Sequence, residues 1–355
     1  MRFTRWCKLD ELATLERLVH QYSPSGQEAA AVREFVRIAR AYGYRARVDA
    51  VGNGIASRGT GRPRIVFLGH IDTVDGDLPV RRRGGRLYGR GAVDAKGPLV
   101  AALLAGRESS GPGEYRVIAA VGEETDSRGA RHIVGHPAPD ATIIGEPSGW
   151  DGITIGYKGM VKLVATFRGQ RSHYSSPAPT AMDRAIDWVG TLRAFVAGRS
   201  GPSLFHSLTM KVVGLESQLQ GDDETAVATI DLRLPPGAST SELMRSLPRA
   251  PGPCSFATKV RDEPIEVART NPVVAALVSG VRAAGGRPTL WRKGGTSDLS
   301  LTVRAWSVPA AAYGPGNARL DHTSRECISA EELRRSVTVL RVALESLRTG
   351  PLTPR

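Results

Sequence analysis

The sequence predicts an α/β protein in which a doubly wound domain is interrupted by an α+β insert, and three observations carry that prediction. Short apolar strand patterns at 65–68, 115–121 and 141–144 alternate with helical patterns, and each strand runs directly into histidine or carboxylates. Near Gly156–Gly159 the texture changes to alternating strands at 160–167, 204–213 and 226–234, with helices at 181–196 and 239–247, which suits an antiparallel sheet. From Asn271 the first texture returns. The insert therefore spans 159–267, and the larger domain comprises 1–158 and 268–355. A chain of 355 residues exceeds one comfortable core, which also favours two domains.

Taken in order, Leu9, Leu12, Leu15, Leu18 and Val19 fall at helical spacing and predict a helix over 9–22. Ser25 followed three places later by Glu28 forms a capping-box pattern, opening a helix over 29–42 that Gly43 stops. Strands follow at 45–51 and 64–68, then a glycine-rich loop, Gly84–Gly91, and a helix at 96–106. Beyond the insert come a helix at 271–284, strands at 289–291 and 308–313, a Gly314-Pro315-Gly316 turn and a final amphipathic helix at 330–347. The chain contains neither an internal repeat nor a low-complexity tract.

Composition narrows the function classes. With 41% hydrophobic and 23% charged residues the chain reads as globular. No apolar run is long enough for a membrane span, and the first twenty residues are too polar for a signal peptide, so a cytoplasmic location is expected. Cys7, Cys254 and Cys327 are scattered, which argues against disulfides and against a cysteine-held metal. The net charge of +13 favours an acidic partner. Its dispersal, with Arg81-Arg82-Arg83 as the one tight cluster and no nucleic-acid-binding motif, argues against nucleic acid. Those arginines suit either a solvated loop or a docking patch.

The strand ends carry the chemistry. His70 and Asp72 sit two residues apart after 65–68, and alternate strand residues share a face. Asp94 is brought back by the glycine-rich loop. An imidazole and carboxylates suit a borderline divalent ion such as zinc. Glu123 and Glu124 follow the second strand, Glu146 follows the third, and His322 lies in a loop beyond the strand at 308–313. Open α/β sheets place ligands at such strand ends. His173 is a lone loop histidine, which alone suggests only a solvated side chain. Arg233 is a candidate clamp for a substrate carboxylate, and it also fits an ordinary sheet surface.

Gly69-His70-Ile71-Asp72-Thr73, Gly89–Gly97, Gly122-Glu123-Glu124, Gly145-Glu146-Pro147-Ser148, Ser172-His173 and Asp321-His322 together resemble the M20 family of dinuclear zinc amidohydrolases. The resemblance covers essentially the whole chain. It implies a zinc-exopeptidase-like catalytic domain and a ferredoxin-like lid and dimerisation domain, hence a homodimer. It further implies that Asp94 bridges two Zn2+ ions, with Co2+ as a substitute. His70 and Glu146 would complete one site and Glu124 and His322 the other. Asp72 would orient His70, Glu123 would act as general base, and His173 would reach the partner's site to stabilise an oxyanion. Thr296, Ser297 and Gly314 would line the substrate floor.

Ala95-Lys96-Gly97-Pro98 departs from the usual Met-Lys-Gly-Gly, and the segment after Asp72 is short. These features, with Gly145–Trp150, Gly156–Gly159, Gly295–Asp298 and Tyr313–Gly316, look most like the [LysW]-lysine/[LysW]-ornithine hydrolase branch. That branch releases lysine or ornithine from the C-terminal glutamate of a small acidic carrier protein, in lysine and arginine biosynthesis. The alternatives are an N-acyl amino acid deacylase with the same chemistry, of the acetylornithine deacetylase or succinyl-diaminopimelate desuccinylase type. More remote is a nucleic-acid-binding or scaffold protein on the same fold.

Overall fold

The computed structural model of the chain describes residues 10–173 and 175–352. Cys7, Leu9 at the start of the first expected helix, and Tyr174 beside His173 lie outside these residues. Helices α1 (Glu11–Val19) and α2 (Ala29–Ala41) lead into β1 (Arg45–Val48), β2 (Gly54–Thr60) and β3 (Arg64–His70). A hairpin, β4 (Arg81–Arg83) and β5 (Arg86–Tyr88), precedes α3 (Lys96–Glu108), β6 (Gly113–Ala120), α4 (Arg128–Val134), β7 (Ala141–Gly145) and β8 (Gly152–Tyr157). Next come β9 (Gly159–Gln170), α5 (Ala181–Ala197), β10 (Thr209–Gln220), β11 (Asp223–Leu234), α6 (Thr240–Ser246), β12 (Cys254–Asp262) and β13 (Ile265–Glu266). The last elements are α7 (Pro272–Ala283), β14 (Thr289–Lys293), α8 (Asp298–Trp306), β15 (Ala310–Ala312), β16 (Cys327–Ser329) and α9 (Ala330–Thr349).

The chain separates into two units. One holds the residues up to Ile155, Val267–Trp291 and those from Ser297 onward; the other holds Gly156–Glu266 and Arg292–Thr296. In the first, the sheet order β1-β2-β6-β3-β7-β15-β8 places four parallel strands, β6, β3, β7 and β15, at the centre. Strands β3, β6 and β7 are buried along almost their whole length, as parallel strands covered on both faces must be. Helix α3 is buried from Lys96 to Gly106 and packs on β3, β6 and α9. Because β6, β3 and β7 are neighbours running the same way, the segments after Ala120, His70 and Gly145 emerge side by side. That adjacency positions the candidate site.

A second, three-stranded sheet, β16-β5-β4, pairs Tyr88 with Cys327 and Leu87 with Ile328. It fastens the chain just before Asp94 to the chain just after His322.

The other unit is an antiparallel sheet of order β10-β11-β9-β12, with helices following β9 and β11. This β-α-β-β-α-β order is ferredoxin-like. Trp188 of α5 is fully buried, its ring 5.8 Å from Phe167 and 5.2 Å from Phe256. Alternating residues of β9, Val161, Leu163, Ala165 and Phe167, form the facing layer. Among the described residues, no helix is long and apolar enough to cross a membrane.

Four points need correction. The Ser25/Glu28 capping box does not form: Glu28 itself stands at the N-cap of α2 without a side-chain cap bond. The Ser25 hydroxyl instead donates to Asp72 Oδ2 at 2.7 Å and Glu28 accepts from Arg128 at 2.6 Å, charged partners outcompeting neutral backbone groups. Arg81–Arg83 is a strand rather than a loop, with Arg82 held by Asp10 at 2.7 Å and Glu16 at 2.9 Å. The strand expected at 204–213 begins instead at Thr209 and runs to Gln220, and α8, capped by Ser297 accepting from Leu299 N, fills a stretch between Gly295 and Val308 to which the sequence pattern gave no element.

Candidate metal centre

The site is built from strand ends. At the end of β3, His70 is 2% exposed and its Nδ1 donates to the Asp72 backbone carbonyl at 3.0 Å. That bond fixes the tautomer and turns Nε2 toward Asp94 Oδ1, 3.0 Å away. The second oxygen of Asp94, Oδ2, lies 3.2 Å from His322 Nε2, which is also 2.9 Å from Glu124 Oε1. Candidate ligand atoms of His70, Asp94 and Glu124 all lie within 4.8 Å of one another. His322 adopts φ +58°, in the left-handed region that few residues other than glycine enter, and this places its imidazole over the acids.

Asp72 is fully buried, and its carboxylate organises the turn after β6. Oδ1 accepts from Glu123 N and Oδ2 from Glu124 N, both at 3.1 Å, while Oδ1 stands 3.6 Å from His70 Nδ1. Burial would raise the carboxyl's pKa, but His70 and Ser25 hold it below the usual range. Asp94 behaves alike: burial pushes it up, and the two histidines outweigh burial and hold it well below. His322 is raised to about 10, first by its bond to Asp94 and then by Glu124. Glu123 moves the other way. Burial raises its carboxyl well above the ordinary value against the opposing pull of His70, and the charges of Glu146, Asp298 and Glu124 add to the rise.

Two residues that sequence reasoning passed over fix the Asp94 loop. Glu326, 1% exposed, accepts from Val93 N at 3.0 Å and Asp94 N at 3.2 Å through Oε1, and from Arg90 Nη1 at 2.9 Å through Oε2. Arg90 donates onward to Thr323 O and Gly76 O, so one buried ion pair joins the loop of Asp94 to the loop of His322. Arg90 lies inside the quoted glycine motif and Glu326 lies four residues past His322, but their separation of 236 positions left no local signal. Asp298, buried at the start of α8, is a further acid whose charge reaches Glu123.

The remaining candidates are placed as follows. Glu146 follows β7, half-buried, and its charge reaches Glu123. Gly314 accepts from Ser148 N at 2.9 Å, and a Cβ there would stand 2.6 Å from Pro98 and 2.9 Å from the Glu146 carbonyl, so only glycine fits beside the Glu146 turn. Ser297 is buried as the cap of α8, and Thr296 is half-buried. In the second unit His173 is exposed and bonded to Ser175 Oγ at 2.7 Å, and Arg233 is forked onto Asp231 at 2.7 and 3.1 Å.

The donor set fits a divalent ion. It offers imidazole nitrogen and carboxylate oxygen with no thiolate, and it gathers acids whose mutual repulsion a cation would relieve. Residues 66–346 match the sequence profile described as peptidase family M20/M25/M40. The chain belongs to that family. M20 enzymes bind divalent metal, typically zinc, and this chain is a metal-dependent amidohydrolase of that kind. The [LysW]-lysine hydrolase of Deinococcus radiodurans is 37% identical over 346 residues, covering 92% of this chain and 94% of its own. A Thermococcus kodakarensis protein with the provisional name [LysW]-lysine/[LysW]-ornithine hydrolase is 38% identical over 340 residues, 96% of this chain and 92% of its own. The M20 fold is shared with a metallo-carboxypeptidase from Sulfolobus solfataricus, at TM-score 0.78 and 16% identity over 96% of this chain and 99% of the other.

Proposed function

We propose that this M20 enzyme hydrolyses the amide linking lysine or ornithine to the C-terminal glutamate of a small acidic carrier protein, releasing the free amino acid. The observation that carries the chemistry is the placement of the two Asp94 oxygens against two different imidazoles, as a carboxylate shared by two ions requires. The names of the Deinococcus and Thermococcus relatives support the substrate. So does the net charge of +13, which favours encounter with an acidic protein.

In this proposal two zinc ions, exchangeable for cobalt, would be held by His70, Asp94 and Glu146 and by Asp94, Glu124 and His322. When bound, such ions polarise the scissile carbonyl and lower the pKa of water. The chain's own residues do the rest. Asp72 holds His70 and the 123–124 turn in register. Glu123, a carboxyl already raised by its surroundings, takes the proton of the attacking water and returns it to the departing amine. Gly314 keeps the Glu146 turn in place, and Thr296 and Ser297 contribute to the substrate floor. Arg233 would receive a substrate carboxylate by exchange with Asp231.

The insert serves as the lid and dimerisation domain, with His173 contributed to the site of a second subunit. Strand β10 supports this assignment, because it is an edge strand of twelve residues with Val213, Leu215 and Leu219 exposed. The enzyme acts in the cytoplasm. The test offers zinc-loaded protein carrier-linked lysine, carrier-linked ornithine and N-acetylornithine, and follows free amine. Faster turnover of N-acetylornithine than of either carrier conjugate would overturn the substrate proposal.

A further inference from the structure

On one face of the sheet, over β1, β2, β6 and β3, the first unit carries a cleft of about 790 Å³ whose lining contains none of the candidate metal donors. That is within the range of roughly 300–1,000 Å³ typical of small-molecule sites. Strand register builds its floor. Arg45, Ser57, Arg116 and Val66 stand in one row across β1, β2, β6 and β3, and Arg47, Ile55 and Ile118 stand in the next. Ile133 of α4 and Trp306 at the end of α8 add apolar wall.

The charge lining this cleft is largely unneutralised. Arg116 is forked onto Glu114 at 2.9 Å through two bonds, but among the described residues no carboxylate pairs with the guanidinium of Arg45, Arg47 or Arg64, Asp140 accepting only from the Arg64 backbone N–H at 2.6 Å. Among the described residues the Arg45 guanidinium has one partner, the Gly59 carbonyl at 3.0 Å, and the lining holds one acid, Asp49. Its carboxylate is engaged by Val51 N, Asn53 N and Asn53 Nδ2, with His132 3.8 Å away. Guanidinium groups match phosphate oxygens in pairs, and unpaired guanidiniums beside an apolar floor provide both halves of a site for a phosphorylated molecule with a flat or apolar body.

We propose that this cleft binds a small polyphosphate-bearing ligand of the nucleoside di- or triphosphate class. Arg45, Arg47 and Arg64 hold the phosphates, and Ile55, Ile118 and Trp306 receive the body. The lining shares no residue with the candidate metal donors.

The experiment is calorimetric titration of the zinc-loaded enzyme with ATP and with inorganic tripolyphosphate, in wild type and in the Arg47→Ser/Arg64→Ser double variant. Both probes should bind the wild type, ATP more tightly, and each arginine removed should weaken binding about tenfold or more. Amide hydrolysis by the double variant should equal that of wild type, confirming its fold. Heat from chelation of the catalytic metal would persist unchanged in the variant. Binding retained there therefore overturns the proposal, as does the absence of binding by both probes at millimolar concentration. ATP binding no tighter than tripolyphosphate would overturn the role given to the apolar floor.

Discussion

Replacing Glu326 by glutamine tests how the metal centre is held together. The two Glu326 oxygens accept three bonds, from Val93 N, Asp94 N and Arg90 Nη1, at 2.9–3.2 Å. A glutamine oxygen can serve either the backbone pair or the guanidinium, and its NH2 group must then face other donors. One orphaned buried donor costs about 1–3 kcal/mol. Loss of the countercharge to Arg90, itself 7% exposed, brings the total to about 3–5 kcal/mol, the usual cost of breaking a buried pair. Taking about 4 kcal/mol and about 2–4 °C per kcal/mol for a body of this size, Tm should fall by about 8–16 °C. The Asp94 backbone loses its anchor at the same time, so metal affinity should fall about 10- to 100-fold, as it does when an outer partner of a ligand is removed. Thermal unfolding in excess zinc reads the first effect and competition against a chromophoric chelator reads the second. A Tm within about 2 °C of wild type with unchanged metal affinity would refute the argument that this pair joins the two ligand loops.

Glu123→Gln should lower kcat by about 10²- to 10⁴-fold while metal content stays at the wild-type value, and a loss below tenfold would place the general base elsewhere. Gly314→Ala forces a methyl group to within 2.6 Å of Pro98 and 2.9 Å of the Glu146 carbonyl, at a cost of about 1–3 kcal/mol. Reduced Tm and reduced zinc affinity are expected together, and wild-type values for both would show that the turn tolerates the methyl. In chelator-treated protein, His322 is raised from 6.5 to about 10, so its contribution to stability is complete below pH 6.5 and is lost as pH rises through 10. The Tm difference between wild type and His322→Gln should therefore shrink between pH 6.5 and pH 10.5, and a difference that grows reverses the sign of the assignment. Zinc capture at pH 7 should likewise release a proton from wild type that His322→Gln does not release, measurable in buffers of different ionisation heat.

The parallel core and its strand-end acids were legible in the sequence because β3, β6 and β7 are short, mostly apolar stretches that run into glycine and the candidate donors. The antiparallel insert was legible because alternate positions of β9 and β11 are apolar, while its ferredoxin-like order came from the family resemblance and its edge strand β12 showed no comparable alternation. Helix α8 was missed because its apolar positions span only nine residues, too few for periodicity to stand out from a loop. The capping box failed because local spacing cannot register a competing carboxylate 47 positions away, which is where Ser25 finds Asp72. The same blindness hid Glu326: a buried acid whose partners are backbone N–H groups and one arginine leaves no local pattern. Asp72, expected to act on His70, also turned out to hold the backbone of Glu123 and Glu124, a role that only the packed strand ends disclose.

The ion-pair clasp and the β5–β16 pairing bring together donors that the gene encodes far apart, from His70 to His322. A ribosome must therefore thread out nearly the whole polypeptide, the inserted unit included, before a cation can find the full candidate donor set. Metal acquisition thus follows completion of the chain rather than guiding its early collapse, and a prematurely terminated product lacks part of the candidate donor set.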